Sequence, residues 1–268
     1  MHSAASFNFA VLDGQEPRLS ALASAALYGK GIFTTLAIYQ REPFLWSKHW
    51  SRLANNAATL GIDISLFAER QTGEALVELI EQNDVTNGRA RLTFFDESSG
   101  YLWPLESKRQ TSLLITTADL RPSITNLRLT TSPHRINSTS PLAGVKSCNY
   151  LEKLIARDEA ERRGFDECVQ VNERGLIVSA SMANIFWLVD GSLFTPSLAT
   201  GCLAGTTREF VLENLECKEV EAAIGELKSA DEIFLTSAGT GVVQVREFDG
   251  RLLNGEPHTI TGLLPPLN

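Results

Sequence analysis

The sequence predicts an α+β protein built of two mixed α/β domains. β-branched segments that predict strands occur in both halves, and segments with apolar residues at helical spacing lie between them. A polar, proline-bearing stretch near the middle predicts the junction. The 268 residues suffice for one large domain or two smaller ones. We expect an N-terminal domain at 1–118, a linker at 119–123 and a C-terminal domain at 124–268.

The first half of the chain predicts strands packed with helices. Residues 31–39 are rich in β-branched and aromatic side chains, which is typical of a strand. Residues 47–60 carry apolar side chains at helical spacing and end at Gly61, and a second helix is predicted at 66–80. Two further strands are predicted at 89–95 and 111–117.

The second half continues the pattern with a strand at 127–131. A helix is predicted at 149–163, with Leu151, Leu154 and Ile155 on its apolar face and Gly164 as its stop. Asp190-Gly191 is typical of a tight primed turn between two strands. The remaining predicted elements are hairpins at 167–171 with 176–178 and at 184–189 with 192–195, a helix at 205–215 and a strand at 232–236.

The composition narrows the kind of partner. The net charge of -8 argues against general affinity for nucleic acid or anionic membranes. The four cysteines are widely spaced and form no CxxC pair, which predicts reduced thiols and no metal site. No segment approaches membrane-span length, and the N-terminus lacks a basic region followed by an apolar run. We therefore expect a cytoplasmic protein that binds small molecules.

One lysine stands in an unusual sequence context. Lys146 lies in the small, apolar, glycine-marked segment PLAGVKSCNY at 141–150, just before a predicted helix. Such surroundings can lower an amine's pKa and free it for Schiff-base chemistry with an aldehyde cofactor. A single lysine is more often a surface charge, so the interpretation depends on the rest of the sequence.

Six segments, in their order along the chain, resemble the class IV aminotransferases. These are pyridoxal-phosphate enzymes of fold type IV, and they include branched-chain and D-amino-acid aminotransferases and aminodeoxychorismate lyase. The resemblance covers nearly the whole chain and implies two α/β domains with pyridoxal 5′-phosphate in the cleft between them, usually in a homodimer. The segments are YGKGIFTT at 28–35, HWSRL at 49–53, LAGVKSCNYL at 142–151, ANIFW at 183–187, LAGTTR at 203–208 and EIFLTS at 232–237.

The resemblance places Lys146 at the Schiff-base position and Arg52 at the position of a phosphate-binding arginine. Gly205, Thr206 and Thr207 open a predicted helix, whose N–H groups attract an anion, and Ser237 in a small-residue turn can add donors. Each of these residues also has a simpler explanation, as a helix start or a solvated surface charge. Tyr150 matches a tyrosine near the cofactor's ring hydroxyl in some members, although a core tyrosine explains it nearly as well.

The substrate side is predicted on the strand after Gly31. Side chains alternate along a strand, so Phe33 and Thr35 share a face, and the resemblance places that face in the site. Arg91 is a candidate for binding a substrate carboxylate, with an edge-strand arginine as the alternative. The FTT and ANIFW segments look more like the lyase branch than the branched-chain transaminases.

One departure from the family bears on the reaction. Where the family carries a glutamate that meets the pyridine nitrogen, this chain has Ser179, and a hydroxyl brings no charge to keep that nitrogen protonated. Either another carboxylate such as Glu173 replaces it, or the reaction depends less on the electron sink, or catalysis has been lost. Lys30 is a second departure, since the family commonly has an acidic residue there.

We favour the second explanation, because releasing pyruvate from aminodeoxychorismate creates an aromatic ring and that driving force offsets a weaker sink. The sequence thus predicts a lyase resembling aminodeoxychorismate lyase. A branched-chain or D-amino-acid transaminase is the alternative within the family. A non-catalytic homologue that binds the cofactor or another ligand is the alternative of a different class.

Overall fold

The computed structural model describes residues 1–98, 110–121 and 125–265. The chain forms two compact units. The first contains Met1–Arg121 together with Val145–Asn149, and the second contains the described residues of 125–144 and 150–265. The sequence-based division assigns Lys146 to the C-terminal domain, whereas its segment groups with the first unit. Of the predicted linker, residues 119–121 lie in irregular structure, and 122 and 123 lie outside the described residues.

The first unit is built on an antiparallel sheet of six strands in the order β2-β1-β6-β5-β3-β4. The helices α2 and α3 pack on it through a core that includes Leu36, Leu53, Leu76 and Phe94. The elements are β1 (Ala4–Phe7), β2 (Ala10–Asp13), α1 (Ser24–Tyr28), β3 (Gly31–Tyr39), β4 (Glu42–Pro43), α2 (Trp46–Leu60), α3 (Glu69–Gln82), β5 (Gly88–Asp96) and β6 (Thr111–Ala118).

The segment that carries Lys146 pairs with the start of β3. The Phe33 N–H donates to the Lys146 carbonyl at 3.0 Å, and the Cys148 N–H donates to the Gly31 carbonyl at 2.7 Å. Ile32 and Ser147 form the antiparallel bridge between these two bonds. A Cβ on Gly31 would lie 2.8 Å from the Phe94 carbonyl oxygen, so only glycine allows this close approach.

The second unit is built on a nine-stranded mixed sheet. Eight strands follow the order β12-β11-β10-β13-β14-β7-β8-β9, and β15 pairs with β14. Short 3₁₀ turns lie at Leu198–Thr200 and Thr259–Gly262. The elements are β7 (Leu127–Thr131), α4 (Leu151–Arg162), β8 (Glu167–Val171), β9 (Ile177–Ala180), β10 (Asn184–Val189), β11 (Ser192–Pro196), α5 (Thr206–Asn214), β12 (Lys218–Val220), α6 (Gly225–Ser229), β13 (Glu232–Ser237), β14 (Gly241–Phe248) and β15 (Arg251–Leu252).

The nine-stranded sheet has two differently packed faces. One face builds a core that includes Val169, Ala180, Ile185, Trp187 and Leu235. The opposite face, called the outer face below, is covered by α5 through Val211 packed with Phe186 and Phe234, and by α4 through Ala156 and Ala160 packed with Cys168.

The α+β class and most predicted elements are confirmed. The primed turn is confirmed too, since Asp190 and Gly191 have φ of 48° and 73°. The sequence reading missed β1, β2, α1, β4, β12, α6, β14 and β15. The predicted apolar face of α4 does not point to the core: Leu151, Leu154 and Ile155 are exposed, and small alanines form the packed face. Within the described ranges, no helix is long and apolar enough to span a bilayer.

Candidate functional site

The backbone of Lys146 pairs with β3, because its carbonyl accepts a hydrogen bond from the Phe33 N–H. Its side chain is half-buried, and the Nζ atom lies 4.5 Å from the centroid of the Phe33 ring. The lysine precedes α4 by five residues and therefore belongs to a strand-like segment, outside the helix. The backbone bonds fix where the chain presents this amine.

Phe33, Thr35 and Arg91 occupy one face of the first sheet, as the alternation on β3 predicts. Thr35 is the cross-strand partner of Arg91, and Phe33 is the partner of Thr93. The Arg91 guanidinium lies 3.7 Å from the Phe33 ring centroid and donates from Nε to the Thr93 hydroxyl at 3.2 Å. The edge-strand explanation for Arg91 is wrong, because β5 is paired on both sides. Two cationic side chains, Arg91 and Lys146, thus contact one aromatic ring.

Arg52 lies in a buried polar cluster with Thr34 and His49 on the opposite face of β3. The Arg52 Nη2 donates to the Thr34 hydroxyl at 2.7 Å, and that hydroxyl lies 2.6 Å from the Nδ1 of His49. Burial, reinforced by the charges of Arg52 and Lys146, holds the pKa of His49 well below 6.5. The Thr34 hydroxyl thus hydrogen-bonds the neutral His49 ring while it accepts from Arg52, which orients the guanidinium.

Lys30 forms an ion pair with Asp96 at 2.6 Å between Nζ and Oδ2. Burial raises the pKa of the Asp96 carboxyl, but hydrogen bonds from Lys30 and Ser98 outweigh it, so the pKa lies below 3.8. Lys30 therefore has a local partner that accounts for its departure from the family pattern.

In the second unit, Ser179 is buried on β9 and points to the outer face. Val169 and Ala180 are cross-strand partners in the core, so the neighbouring pair, Gln170 and Ser179, points the other way. The Gln170 side chain is 2% exposed, and its Oε1 has no hydrogen-bond partner among the described residues. An unsatisfied buried polar atom of this kind needs an explanation, such as a bound water, ion or ligand.

A second buried pair lies on the outer face, where Asn184 on β10 faces Thr236 on β13. The Thr236 hydroxyl is buried and likewise has no hydrogen-bond partner within the described part of the chain. Ser237 follows directly, and its hydroxyl lies 2.7 Å from that of Thr240 in the turn before β14. Small hydroxyl donors are therefore concentrated at this end of the strands.

Gly205, Thr206 and Thr207 form the start of α5, as predicted. Gly205 is the N-cap residue, and the two threonines are 2% and 5% exposed. The Asn184 amide donates to the Leu203 carbonyl at 2.9 Å, and a Cβ on Gly205 would lie 2.0 Å from the Asn184 Oδ1. The first turn of a helix carries N–H groups that the helix itself does not satisfy, and its dipole favours an anion. The backbone N–H groups and threonine hydroxyls at this helix start therefore have the chemistry that a phosphate needs.

Tyr150 and Glu173 complete the predicted set. Tyr150 is the half-buried N-cap residue of α4, and its carbonyl accepts from the N–H groups of Lys153 and Leu154. Glu173 is exposed, and its carboxylate accepts from the Ser138 N–H at 2.9 Å and the Ser138 hydroxyl at 2.7 Å. The Glu173 carboxylate is thus engaged with Ser138, which argues against Glu173 as the replacement for the missing glutamate.

The sequence reading missed Thr34, His49, Gln170 and Thr236 as site candidates. One signal was available for Gln170, because a glutamine interrupts the apolar run of a buried strand at 167–171. The described residues contain no group of three or more His, Cys, Asp or Glu side chains placed to hold a metal ion.

Comparison with known proteins points to one family. The family model for amino-transferase class IV matches residues 31–248. A putative branched-chain-amino-acid aminotransferase of Methanocaldococcus jannaschii is 28% identical over 254 residues, covering 91% of this chain and 88% of that protein. Aminodeoxychorismate lyase of Bacillus subtilis is 28% identical over 236 residues, covering 85% and 80%.

A solved structure gives the same fold. The T.th. branched-chain amino acid aminotransferase, crystallised with pyridoxamine 5′-phosphate, superposes with a TM-score of 0.87 at 24% identity. The likeness covers 98% of this chain and 92% of that one. Relatives of both reaction types thus match along most of their length.

Proposed function

Since this chain belongs to the class IV aminotransferases, whose cofactor is pyridoxal 5′-phosphate, we propose that it is a lyase that releases pyruvate from aminodeoxychorismate. Lys146 is the residue that binds the cofactor covalently. The observation that carries the proposal is the placement of the Lys146 amine 4.5 Å from the Phe33 ring, with Arg91 against the same ring. That arrangement provides a reactive amine, an apolar wall and a cation within one cluster.

We propose the following cofactor contacts from the positions that match the family's segments. Thr206, Thr207 and the Gly205 cap bind the phosphate through backbone N–H groups and hydroxyls, with Ser237 adding a donor. Arg52, oriented by Thr34, adds the charge that the phosphate needs in an acidic protein. Tyr150 is the proposed contact of the ring hydroxyl, and Ser179 is proposed to lie beside the ring nitrogen.

Pyridoxal phosphate held by these residues would supply an electron sink for the substrate's amine-bearing carbon, which would allow a bond to that carbon to break. The protein supplies the other requirements. Lys146 moves protons at that carbon. Arg91 binds a substrate carboxylate, and the buried Phe33 ring excludes water from the amine.

Two observations support the lyase over a transaminase. The FTT segment supplies Phe33 and Thr35 beside Arg91, and no carboxylate stands at position 179. A reaction that forms an aromatic ring has its own driving force and tolerates a weaker electron sink. The branched-chain transaminase remains the second candidate, because a relative with that name matches as well as the lyase does.

The covalent attachment is tested by borohydride reduction of the purified protein followed by peptide mass analysis. We expect the cofactor mass on the peptide that contains Lys146, and we expect Lys146→Ala to abolish it. Lys228→Ala, at an exposed lysine of α6, is the control and should label like the wild type. A preparation that stays colourless with added pyridoxal phosphate would favour a non-catalytic homologue.

The reaction type is tested by supplying aminodeoxychorismate without any keto acid. Pyruvate should form at a constant rate over many turnovers, because a lyase needs no amino acceptor. Amino transfer from a branched-chain or D-amino acid to 2-oxoglutarate, with no pyruvate from aminodeoxychorismate, would contradict the proposal and establish the second candidate.

We further propose that the enzyme is a cytoplasmic homodimer. The exposed apolar stripe of α4, formed by Leu151, Leu154 and Ile155, is the surface that a second copy would cover. All four cysteines are free thiols, which suits a reducing compartment.

A further inference from the structure

The outer face of the second sheet carries a polar pair whose role the family pattern does not explain. Gln170 and Ser179 are directly opposite each other on β8 and β9, and both are buried. Side chains of such a pair have Cβ atoms about 5 Å apart, so they can contact one common ligand atom. Ser179 is the position at which a contact with the cofactor's ring nitrogen is expected.

In this pair, it is Gln170 that carries a fully buried side-chain oxygen without a partner within the described residues. Its side chain is 2% exposed, and its Oε1 makes no hydrogen bond to any described residue. Leaving such an atom unsatisfied is unfavourable, whereas an apolar side chain would leave no polar atom unpaired there. A buried glutamine in the middle of a strand is therefore best explained by a ligand that satisfies it.

The nearby carboxylates are already engaged. Glu167, on the same strand, accepts from the Cys168 N–H at 2.8 Å, from the Ser181 N–H at 3.1 Å and from the Ser181 hydroxyl at 2.5 Å. The Met182 N–H adds a fourth bond at 3.3 Å. Glu173 is bound to Ser138. Neither is available to replace the missing glutamate, and the two side chains of the pair, Gln170 and Ser179, are neutral.

We propose that Gln170 is the hydrogen-bond partner of the cofactor's pyridine nitrogen, with Ser179 beside it and no carboxylate in contact. The inference rests on the proposed function, because it needs pyridoxal phosphate in this site. A neutral amide can accept from the protonated nitrogen or donate to the unprotonated one, and it adds no charge that would fix the protonation state. This chain thus replaces a charged ring contact with a neutral one from the neighbouring strand.

The test compares two ligands on the apoprotein. One is pyridoxal phosphate, and the other is its 1-deaza analogue, in which a C–H replaces the ring nitrogen. Wild-type protein should bind pyridoxal phosphate about fivefold to tenfold more tightly, since one hydrogen bond contributes roughly 1 kcal/mol. Gln170→Met keeps the length of the side chain and should remove the preference. Gln82→Met, at an exposed position of α3, is the control and should keep it.

A second variant keeps the test decisive if the methionine substitution perturbs the fold. Gln170→Glu has the same size, and its charged hydrogen bond should raise the preference at least severalfold. An unchanged preference in either variant, or a preference that Ser179→Ala alone abolishes, overturns the inference.

Borohydride labelling of Lys146 is measured in parallel. If the wild type shows no labelling, the proposed function fails, and the inference fails with it; labelling without a Gln170 effect refutes only the inference.

Discussion

At the scale of single residues, Gly205 shows how closely the start of α5 approaches β10. An added Cβ would lie 2.0 Å from the Asn184 Oδ1, well inside contact distance, although the backbone φ of −72° suits any residue. We expect Gly205→Ala to lower the free energy of unfolding by about 1–3 kcal/mol, because the clash displaces Asn184 from its bond to Leu203. Urea titration measures the loss.

Gly225→Ala is the matched control for that substitution. Gly225 is also at the start of a helix, α6, and a Cβ there meets no atom within 4 Å. Its free energy of unfolding should stay equal or rise slightly, since alanine favours helix. Equal losses in the two variants would show that the approach of Asn184 does not explain the glycine.

Thr34 connects two side chains of the first unit through one hydroxyl. Thr34→Val should cost about 1–3 kcal/mol in the free energy of unfolding, because it leaves buried hydrogen-bonding atoms of His49 and Arg52 without this partner. Thr35→Val is the control on the opposite face of the same strand, and it should cost less than half as much. Comparable costs in urea titrations would argue against the hydroxyl as the connecting group.

Sequence motifs named site candidates but not the residues that surround them. Thr206 and Thr207 begin α5 as predicted, and the cofactor roles of these threonines, of Lys146 and of Arg52 stay predictions. Gln170 is different, because its proposed role depends on strand register and on which face is buried. Those are properties of the tertiary fold, and the local pattern around a single glutamine does not contain them.

At the scale of elements, α4 reverses the usual relation between side-chain size and burial. Its alanines pack on β8 because small side chains let the helix approach the sheet closely, while its leucines remain exposed. Leu154→Glu should leave the thermal midpoint of the isolated chain nearly unchanged but weaken self-association at least tenfold, since a charge then enters an apolar contact. Light scattering over a dilution series measures the association.

The control for that experiment is Leu66→Glu, at a leucine that is 82% exposed in the first unit. It should dimerise like the wild type. If both variants dissociated to the same extent, or if neither dissociated, the α4 stripe would not be the self-association surface.

Most elements missed from sequence have weak local signals; the exception is β14, whose valines at 242, 243 and 245 were available. β1 and β2 are short and contain alanine and serine, so their pairing with each other and with β6 determines their structure more than propensity does. α1, β4, β12, α6 and β15 are five residues or fewer. Most of the strong β-branched runs and the glycine-terminated helix α2 were predicted, because local pattern and tertiary packing agree there.

At the scale of the whole molecule, His49 makes stability depend on pH. The folded pKa lies well below 6.5, so the unfolded state binds a proton below that pH which the folded state does not. The contribution is complete above 6.5 and is lost as the pH falls, at about 1.4 kcal/mol per pH unit. Urea titrations between about pH 7 and about pH 5 should show this slope.

His49→Gln should flatten that slope, while His134→Gln, at an exposed histidine, should keep it. The His49 variant will be less stable at neutral pH, so the comparison uses the change with pH and not the absolute value. A slope that survives the His49 substitution would assign the pH dependence to another group.

The pairing of residues 146–148 with β3 also limits where the polypeptide can be divided into fragments that fold by themselves. A translation product that stops at residue 121 contains every strand of the first sheet, yet Gly31 and Phe33 lose the backbone partners that only a later stretch of the polypeptide supplies. We expect that truncated product to accumulate as insoluble aggregate through its unprotected strand edge. Solubility should return when a separately translated fragment that begins before residue 145 is co-expressed. The two fragments would then complement each other as the parts of a split protein, and neither would be an independently folding module.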